Sequence, residues 1–207
     1  MNRYLTEFCG VFFWVLCLGC VSIAAGAGTM PAIAIGAVVA VMVALGWGIS
    51  GAHYNPAVSL SLWRAGLLQS KELVPYVIFQ FLGAGAGAAV VKVIKSGFKA
   101  GSMEPKVLPA LLVEFLFTLL LCYAMIHLHK QRDKWSALAG GAMIGGLVMA
   151  GVFAAGAVSG ASLNPATALG SCVMGLLSFK SLWVFLFAHA VAGVVAPMAY
   201  RGLNPKL

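Results

Sequence analysis

Residues 50–57 of this chain read Ser-Gly-Ala-His-Tyr-Asn-Pro-Ala, and residues 159–166 read Ser-Gly-Ala-Ser-Leu-Asn-Pro-Ala. Six of the eight positions are identical at a constant offset of 109 residues, in a chain of 207 residues. The Asn-Pro pair is typical of a helix start, because Asn caps an exposed amide and Pro fits the first turn, where its missing N–H is not needed. The repeated octet therefore predicts two short helices at equivalent places in two halves of the chain.

The composition indicates that the chain lies in a lipid bilayer. It is 62% hydrophobic and 9% charged, with a mean hydropathy of +1.00, which is too apolar for an ordinary soluble domain. The net charge of +8 does not indicate a nucleic-acid partner, because the basic residues lie mostly in short loops between apolar runs. The five cysteines lie inside apolar runs without metal-type spacing, and we expect no disulfide framework, no metal and no cofactor.

Six apolar runs are long enough to cross a hydrocarbon core of about 30 Å, which takes roughly 20 residues. They are approximately residues 5–25, 30–50, 73–95, 107–128, 136–156 and 180–200. We interpret the first as a span and not a cleaved signal peptide, since Glu7 lies inside it and the second half has a counterpart. The Asn-Pro-Ala segments, about 54–66 and 163–176, reach only roughly halfway across at about 1.5 Å per residue.

The order span, span, half-helix, span thus occurs twice. Three spans per half is an odd number, so the second half must enter the membrane from the opposite face. We predict an all-α membrane protein with six transmembrane helices and two re-entrant half-helices. It would form a single domain, 1–207, with inverted repeats at about 1–100 and 107–207. Other residues match between the halves: Glu7 with Glu114, Gly36 with Gly145, and Gln80 with His189.

The distribution of basic residues favours a cytoplasmic location for both termini, and we expect the protein in the plasma (inner) membrane. The cytoplasmic side would then hold Arg3, Arg64, Lys71, Lys130, Arg132, Lys134, Arg201 and Lys206, against Lys92, Lys95, Lys99, Lys106 and Lys180 outside. Small residues that recur every four positions predict close helix packing in spans 2, 3 and 5. These residues are Gly36, Ala40, Ala44, Gly48, Gly83, Gly87, Gly141 and Gly145.

Paired Asn-Pro-Ala motifs, six spans and a glutamate in spans 1 and 4 resemble the aquaporin (major intrinsic protein) family. The segment 50–58 and the pattern Tyr76, Gln80, Gly83-Ala84 are also similar to that family. The resemblance covers nearly the whole chain and implies an aquaporin-like channel, in contact with membrane lipids, assembled as a homotetramer with a pore in each protomer. The sequence contains no phosphate-binding loop, metal cluster or nucleophile–base pair, so we do not expect an enzyme.

The same resemblance implies where the pore lies. The motif residues at its centre would be Asn55, Pro56, Ala57, Asn164, Pro165 and Ala166. Both asparagine amides would donate to a solute oxygen, and the positive ends of the two half-helices would repel cations. The backbone carbonyls expected along the pore are those of Gly51, Ala52, His53, Gly160 and Ser162. Glu7 and Glu114 would accept hydrogen bonds from the loops behind the motifs, with a proton relay as the alternative.

The resemblance also implies that the narrowest constriction lies outside the asparagine pair, and by spacing from the motifs we expect its four positions at Ile35, Val152, Ala161 and Thr167. The family usually has Arg at the position of Thr167, and many water-selective members have His at that of Val152. We therefore expect a wider, less polar filter that passes water and larger neutral solutes such as glycerol, urea, ammonia or arsenite-like metalloid acids. A strictly water-selective channel and an ion-coupled secondary transporter remain alternatives.

The histidines have separate expectations. We expect His53 to help fix the first loop, and His189 to be packed or hydrogen-bonded within the bundle, with Gln80 as one candidate partner. His127 and His129 end span 4, where a positive group suits a helix C-terminus and where pH gating is an open alternative.

Overall fold

The computed structural model describes residues 1–24 and 30–205. The eight α-helices found in these ranges are α1 Asn2–Ser22, α2 Pro31–Gly46, α3 Pro56–Arg64, α4 Ser70–Ile94, α5 Val107–Lys130, α6 Ala137–Ser159, α7 Pro165–Met174 and α8 Leu182–Leu203. Short 3-10 turns occupy Arg132–Lys134 and Phe179–Ser181. Lys206 and the C-terminal residue of the first expected span, Ala25, lie outside the described residues.

The predicted all-α order of spans and half-helices is confirmed. In the described part of the chain, five helices (α1, α4, α5, α6 and α8) have the length and hydropathy of a membrane span. The remaining expected span, α2, has only 16 residues and ends at Gly46, so its predicted end near residue 50 is wrong. Residues 47–50 form a turn instead, because the chain must bend there to re-enter the bundle at residue 51.

Both half-helices begin at the predicted motif. Asn55 and Asn164 are N-caps whose Oδ1 atoms accept from the amides of Ala57 and Ala166, each at 2.9 Å. A proline follows each cap as the first helical residue. With nine and ten residues, α3 and α7 extend for about 15 Å each, roughly half the hydrocarbon core.

Helix contacts in one half have counterparts in the other. Helix α1 packs on α4 as α5 packs on α8, and α4 packs against α7 as α8 packs against α3. Helices α2 and α6 correspond to each other and form the largest contact between the halves. Each helix contact in the first half thus has an equivalent contact in the second half, as expected for two inverted repeats.

Small residues allow α2 and α6 to approach at backbone distance. A Cβ atom added at Gly36 would collide with the carbonyl oxygen of Gly145, and one added at Gly145 would collide with that of Gly36. Gly141 meets the carbonyl oxygen of Ala40 in the same way. The packing prediction is therefore confirmed at this crossing.

Helix α4 lies equally close to α1. Gly83 and Gly87 contact the backbone carbonyls of Phe8 and Phe12, where a larger side chain would not fit. Gly48 is the exception to the prediction, because it lies exposed in the turn after α2 with open space around it.

Candidate pore

The two half-helices meet at their N-termini. The Nδ2 atom of Asn55 donates to the carbonyl of Leu163, and the Nδ2 atom of Asn164 donates to the carbonyl of Tyr54, both at 2.8 Å. The carbonyl of the residue before each asparagine therefore accepts a hydrogen bond from the asparagine of the other half. A side-chain amide carries two N–H donors, so each asparagine retains one donor beyond this reciprocal pair of bonds.

We call residues 50–55 the first loop and residues 159–164 the second loop. Both loops hold non-glycine residues at positive φ, with Ala52 at 53° and Tyr54 at 50° in the first loop, and Ala161 at 48° and Leu163 at 51° in the second. Such conformations are costly for residues with a Cβ atom, so the surroundings must stabilise them.

A buried carboxylate stabilises the first loop. The Oε1 atom of Glu7 accepts from the hydroxyl of Ser50 at 2.6 Å and from the amide of His53 at 3.0 Å. Its Oε2 atom accepts from the amide of Tyr54 at 2.6 Å and from Nε2 of Gln80 at 2.8 Å. The four donors use both oxygens of a side chain that is 0% exposed.

The second loop repeats this arrangement. The Oε1 atom of Glu114 accepts from the hydroxyl of Ser159 at 2.6 Å and from the amide of Ser162 at 3.0 Å. Its Oε2 atom lies 2.8 Å from the amide of Leu163 and 2.8 Å from Nε2 of His189. His189 thus binds the carboxylate of its own half, as Gln80 does, and the bond between Gln80 and His189 that we considered is not formed.

A cavity of about 400 Å³ lies beside the second loop, and we call it the second-loop cavity. Three of the four expected filter residues line it, namely Ile35, Val152 and Ala161, as do Gly160 and Ser162 of the expected carbonyl set. None of the described residues that line this cavity is charged. The cavity is therefore uncharged, and its lining combines apolar side chains with Ser22, Ser159, Ser162 and Ser171.

Thr167 is placed differently from the other three. Its side chain is fully buried and does not line the second-loop cavity. Its Oγ1 atom lies 2.8 Å from the carbonyl oxygen of Ser162 and 3.0 Å from that of Asn164. The single hydroxyl hydrogen of Thr167 is thus donated to the backbone of the second loop. One of the two acceptors is the carbonyl of Ser162, which we expected to face the pore.

The first-loop cavity, about 210 Å³, lies on the other side of the asparagine pair and is more polar. Gly51 and His53 of the expected carbonyl set line it, whereas Ala52 does not. Its charged lining residues are Arg3, Glu72 and Arg132. The two cavities share no lining residue, and the side chains of Asn55 and Asn164 are fully buried between them. Neither cavity therefore reaches the asparagine pair in this structure.

An aromatic cluster borders the first-loop cavity. The guanidinium of Arg132 donates to the carbonyl of Trp47 at 2.6 Å and lies 5.2 Å from the centre of its ring. The ring of His129 lies 4.8 Å from that of Trp47 and 5.6 Å from that of His53. These residues were not expected together, because nothing in their spacing indicates that the end of α5 lies beside the first loop.

Two further residues of the second-loop cavity were also missed. Phe153 follows Val152 on α6, and Met103 comes from the connection between α4 and α5. Helical periodicity from Val152 indicates Gly156, one turn further on, which also lines the cavity, and does not indicate the adjacent residue Phe153. No pattern in the sequence indicated Met103.

Two half-helices joined tip to tip, a buried carboxylate behind each, and a cavity on either side define a membrane channel built from inverted repeats. The chain belongs to the major intrinsic protein family, whose model (Major intrinsic protein) matches residues 1–200. This is a family of channels and not of enzymes.

Similar proteins extend over the full length of the chain. Aquaporin Z from Brucella melitensis is 33% identical, with 98% of this chain and 98% of that protein covered. Glycerol uptake facilitator protein-like 6 from Lactiplantibacillus plantarum is 30% identical, with 100% of each covered. The X-ray structure of the aquaglyceroporin from Plasmodium falciparum superimposes with a TM-score of 0.80, at 20% identity, over 100% of this chain and 96% of that one. The structural likeness supports the fold.

Proposed function

We propose that this protein is a passive channel for water and for larger uncharged solutes such as glycerol, urea, ammonia or arsenite-like metalloid acids. The observation that carries the proposal is the second-loop cavity, which has apolar side chains at Ile35, Val152 and Ala161 and no charged residue among its described lining residues. A wall of this kind neither binds a solute tightly nor restricts it to the hydrogen-bonding pattern of water.

The asparagine pair supplies the polar element of the pathway. Each of Asn55 and Asn164 keeps one N–H donor, and each lies at the N-terminus of a half-helix that carries roughly half a positive charge. A neutral solute oxygen is attracted to these donors, whereas a cation meets two positive helix ends. Because the pair is fully buried here, conduction requires these side chains to separate slightly.

With Thr167 at the position where the family usually has Arg, the filter has no fixed positive charge at this position. An arginine at this position would place a permanent positive charge and a large side chain beside the second loop. The threonine instead bonds to the loop backbone, and its side chain leaves the cavity wall unoccupied. We infer that the aperture is wider and that rejection of cations depends on the half-helices alone.

The strictly water-selective alternative draws support from the relative named Aquaporin Z, while the relative named glycerol uptake facilitator favours the wider pore. An ion-coupled transporter would need ligands for a coupling ion near the helix breaks. Linear, non-saturating flux without an ion gradient distinguishes a channel from that transporter.

The remaining features of the proposal follow from the resemblance and from the charge pattern. We treat residues 1–207 as one domain with inverted repeats at about 1–100 and 107–207, and we assign both termini to the cytoplasm and the protein to the plasma (inner) membrane. We further propose a homotetramer surrounded by membrane lipids. Light scattering of the detergent-solubilised protein measures the assembly, and reagents applied to one side of oriented vesicles measure the topology.

The function itself is tested by stopped-flow measurements on proteoliposomes with water, glycerol, urea, ammonia and arsenite. We expect permeability above that of empty liposomes for water and for at least one larger solute. Water permeability alone would establish the water-selective alternative. Saturable flux that depends on an ion gradient would establish the transporter.

A further inference from the structure

Met103 lies far from the repeated motifs in the sequence but next to the second loop in the fold. Its amide donates to the carbonyl of Leu176 at 3.0 Å, and its carbonyl accepts from the amide of Ser178 at 3.0 Å. These bonds form an isolated parallel bridge between Met103 and Leu177. The bridge ties the connection between α4 and α5 to the residues that follow α7. Because both bonds are made by the backbone, the position does not depend on the side chain at residue 103.

The side chain of Met103 extends over the second loop. It lines the second-loop cavity, and its Sδ atom lies 3.9 Å from the point where a Cβ atom on Gly160 would be. Gly160 has no side chain, so the thioether occupies space above the loop that a larger residue there would fill. Met103 therefore shares a wall with the expected filter residues Val152 and Ala161.

Thr167 does not contribute to this wall, since its side chain is buried and its hydroxyl is bonded to the carbonyls of Ser162 and Asn164. We propose that Met103 is a specificity-determining residue of the channel, which narrows the aperture on the side that Thr167 leaves open. This inference rests on the proposed function and assigns the size limit of that same pore.

The chemistry of the side chain determines what it selects. A thioether is apolar, flexible and only a weak hydrogen-bond acceptor. It offers a solute no strong bond and no charge, so it discriminates by size and not by hydrogen-bonding pattern. Solutes bulkier than water are therefore expected to depend on Met103 more strongly than water does.

The test compares Met103→Ala and Met103→Phe with the wild type in proteoliposomes, with glycerol and a five-carbon polyol as probes. We expect the polyol-to-water permeability ratio to rise about three-fold or more in Met103→Ala and to fall in Met103→Phe. Glu104→Ala is the matched control, because Glu104 is the next residue and lines a neighbouring cavity that Met103 also borders, but does not line the second-loop cavity, and its ratio should not change. Unchanged ratios in both Met103 variants, with water permeability retained, would overturn the proposal.

The failure of this inference is distinguishable from the failure of the proposed function. If the wild type passes only water, the wide filter is wrong, but entry of glycerol in Met103→Ala would still show that Met103 sets the aperture. If Met103→Ala also excludes glycerol and its water permeability equals that of the wild type, Met103 has no such role.

A chemical block supplies a second measurement, in which a covalent label on one variant replaces the comparison of side chains of different volume. A bulky charged thiol reagent, added to Met103→Cys, should reduce glycerol flux by most of its value and water flux less. The wild type contains five cysteines, two of them buried, and serves as the control for reaction elsewhere, together with Glu104→Cys. Full labelling of Met103→Cys, measured by mass spectrometry, without loss of flux would contradict the placement of this side chain in the pathway.

Discussion

The two loops share one architecture and differ in what surrounds it. Both end in Asn-Pro-Ala, both hold residues at positive φ, and both are anchored by four donors to one buried carboxylate. The first loop opens on a cavity lined by charged groups, Arg3, Glu72 and Arg132, whereas the second opens on an uncharged one. The two halves therefore share the asparagines and the residues that shape the loops, and they differ in the residues that line the adjacent cavities.

The hydrogen bonds made by the residues that surround the two loops also differ. In the first half, the hydroxyl of Ser59 lies 3.1 Å from Nδ1 of His53 and 2.9 Å from Nε2 of Gln80. At the offset of 109 residues the second half has Ala168 in place of Ser59. Consequently Nδ1 of His189 has no hydrogen-bond partner among the described residues. The first loop is held in addition by the bonds around Ser59, and the second by the hydroxyl of Thr167, for which the first half has Val58.

The largest effect is expected from removing that carboxylate. In Glu114→Leu, two backbone amides, a hydroxyl and the ring of His189 lose their acceptor, and each unpaired buried donor costs about 1–3 kcal/mol. We expect loss of solute flux and a strongly reduced unfolding temperature in detergent.

The matched variant in the first half is Glu7→Leu, which leaves the bond from the hydroxyl of Tyr76 to the carbonyl of Ser50 intact, at 2.8 Å. The position equivalent to Tyr76 is Phe185, which has no hydroxyl. Glu7→Leu should therefore lower the unfolding temperature less than Glu114→Leu does. Equal losses would show that the network around the first loop adds no stability.

A smaller effect, on selectivity, is expected from Thr167→Arg. The variant adds a permanent positive charge next to the second loop. None of the described residues that line the second-loop cavity is charged. We expect the ratio of glycerol to water flux to fall about ten-fold, because the long side chain narrows the cavity. Thr167→Val, which has nearly the same volume, is the control and should leave the ratio close to that of the wild type. An unchanged ratio in a folded, water-conducting Thr167→Arg would show that Thr167 does not set the aperture.

The sequence predicted the features that depend on local chemistry and on the repeat. The Asn-Pro caps at Asn55 and Asn164 specify two helix starts, and the odd number of spans in each half specifies the inversion. The early end of α2 at Gly46 agrees with signals that the predicted span did not take into account, since Gly46, Gly48 and Gly51 interrupt the apolar run.

Long-range contacts limited the prediction of the site. Thr167, which we expected at the filter, lies in the first turn of α7, and the direction of its hydroxyl depends on the two carbonyls it meets in the folded loop. Met103 reaches the cavity only through the bridge to Leu177, and these two residues are separated in the sequence by three helices.

A moderate effect on stability is expected from Ser59→Ala, which makes the first half resemble the second. The variant removes the oxygen that lies next to Nδ1 of His53 and accepts from Nε2 of Gln80, whose Oε1 already has no partner among the described residues. We expect a cost of about 1–2 kcal/mol, measured by chemical or thermal unfolding in detergent. Ser61→Ala is the control, because the hydroxyl of Ser61 is buried without a partner among the described residues. A cost no larger than that of Ser61→Ala would argue against a structural role for the network.

The smallest effect is expected from the converse substitution, Ala168→Ser. The added hydroxyl would lie where Ser59 lies in the first half, and it would give Nδ1 of His189 the partner that it lacks. The gain is at most about 1 kcal/mol, because the bond formed must offset the burial of a second polar group. The double variant Ala168→Ser with His189→Gln would reproduce the arrangement of Gln80 and Ser59 and should be more stable than His189→Gln alone. If Ala168→Ser lowers the unfolding temperature in both backgrounds, the site is too tightly packed for the hydroxyl, and the difference between the two loops is one of volume and not of hydrogen bonding.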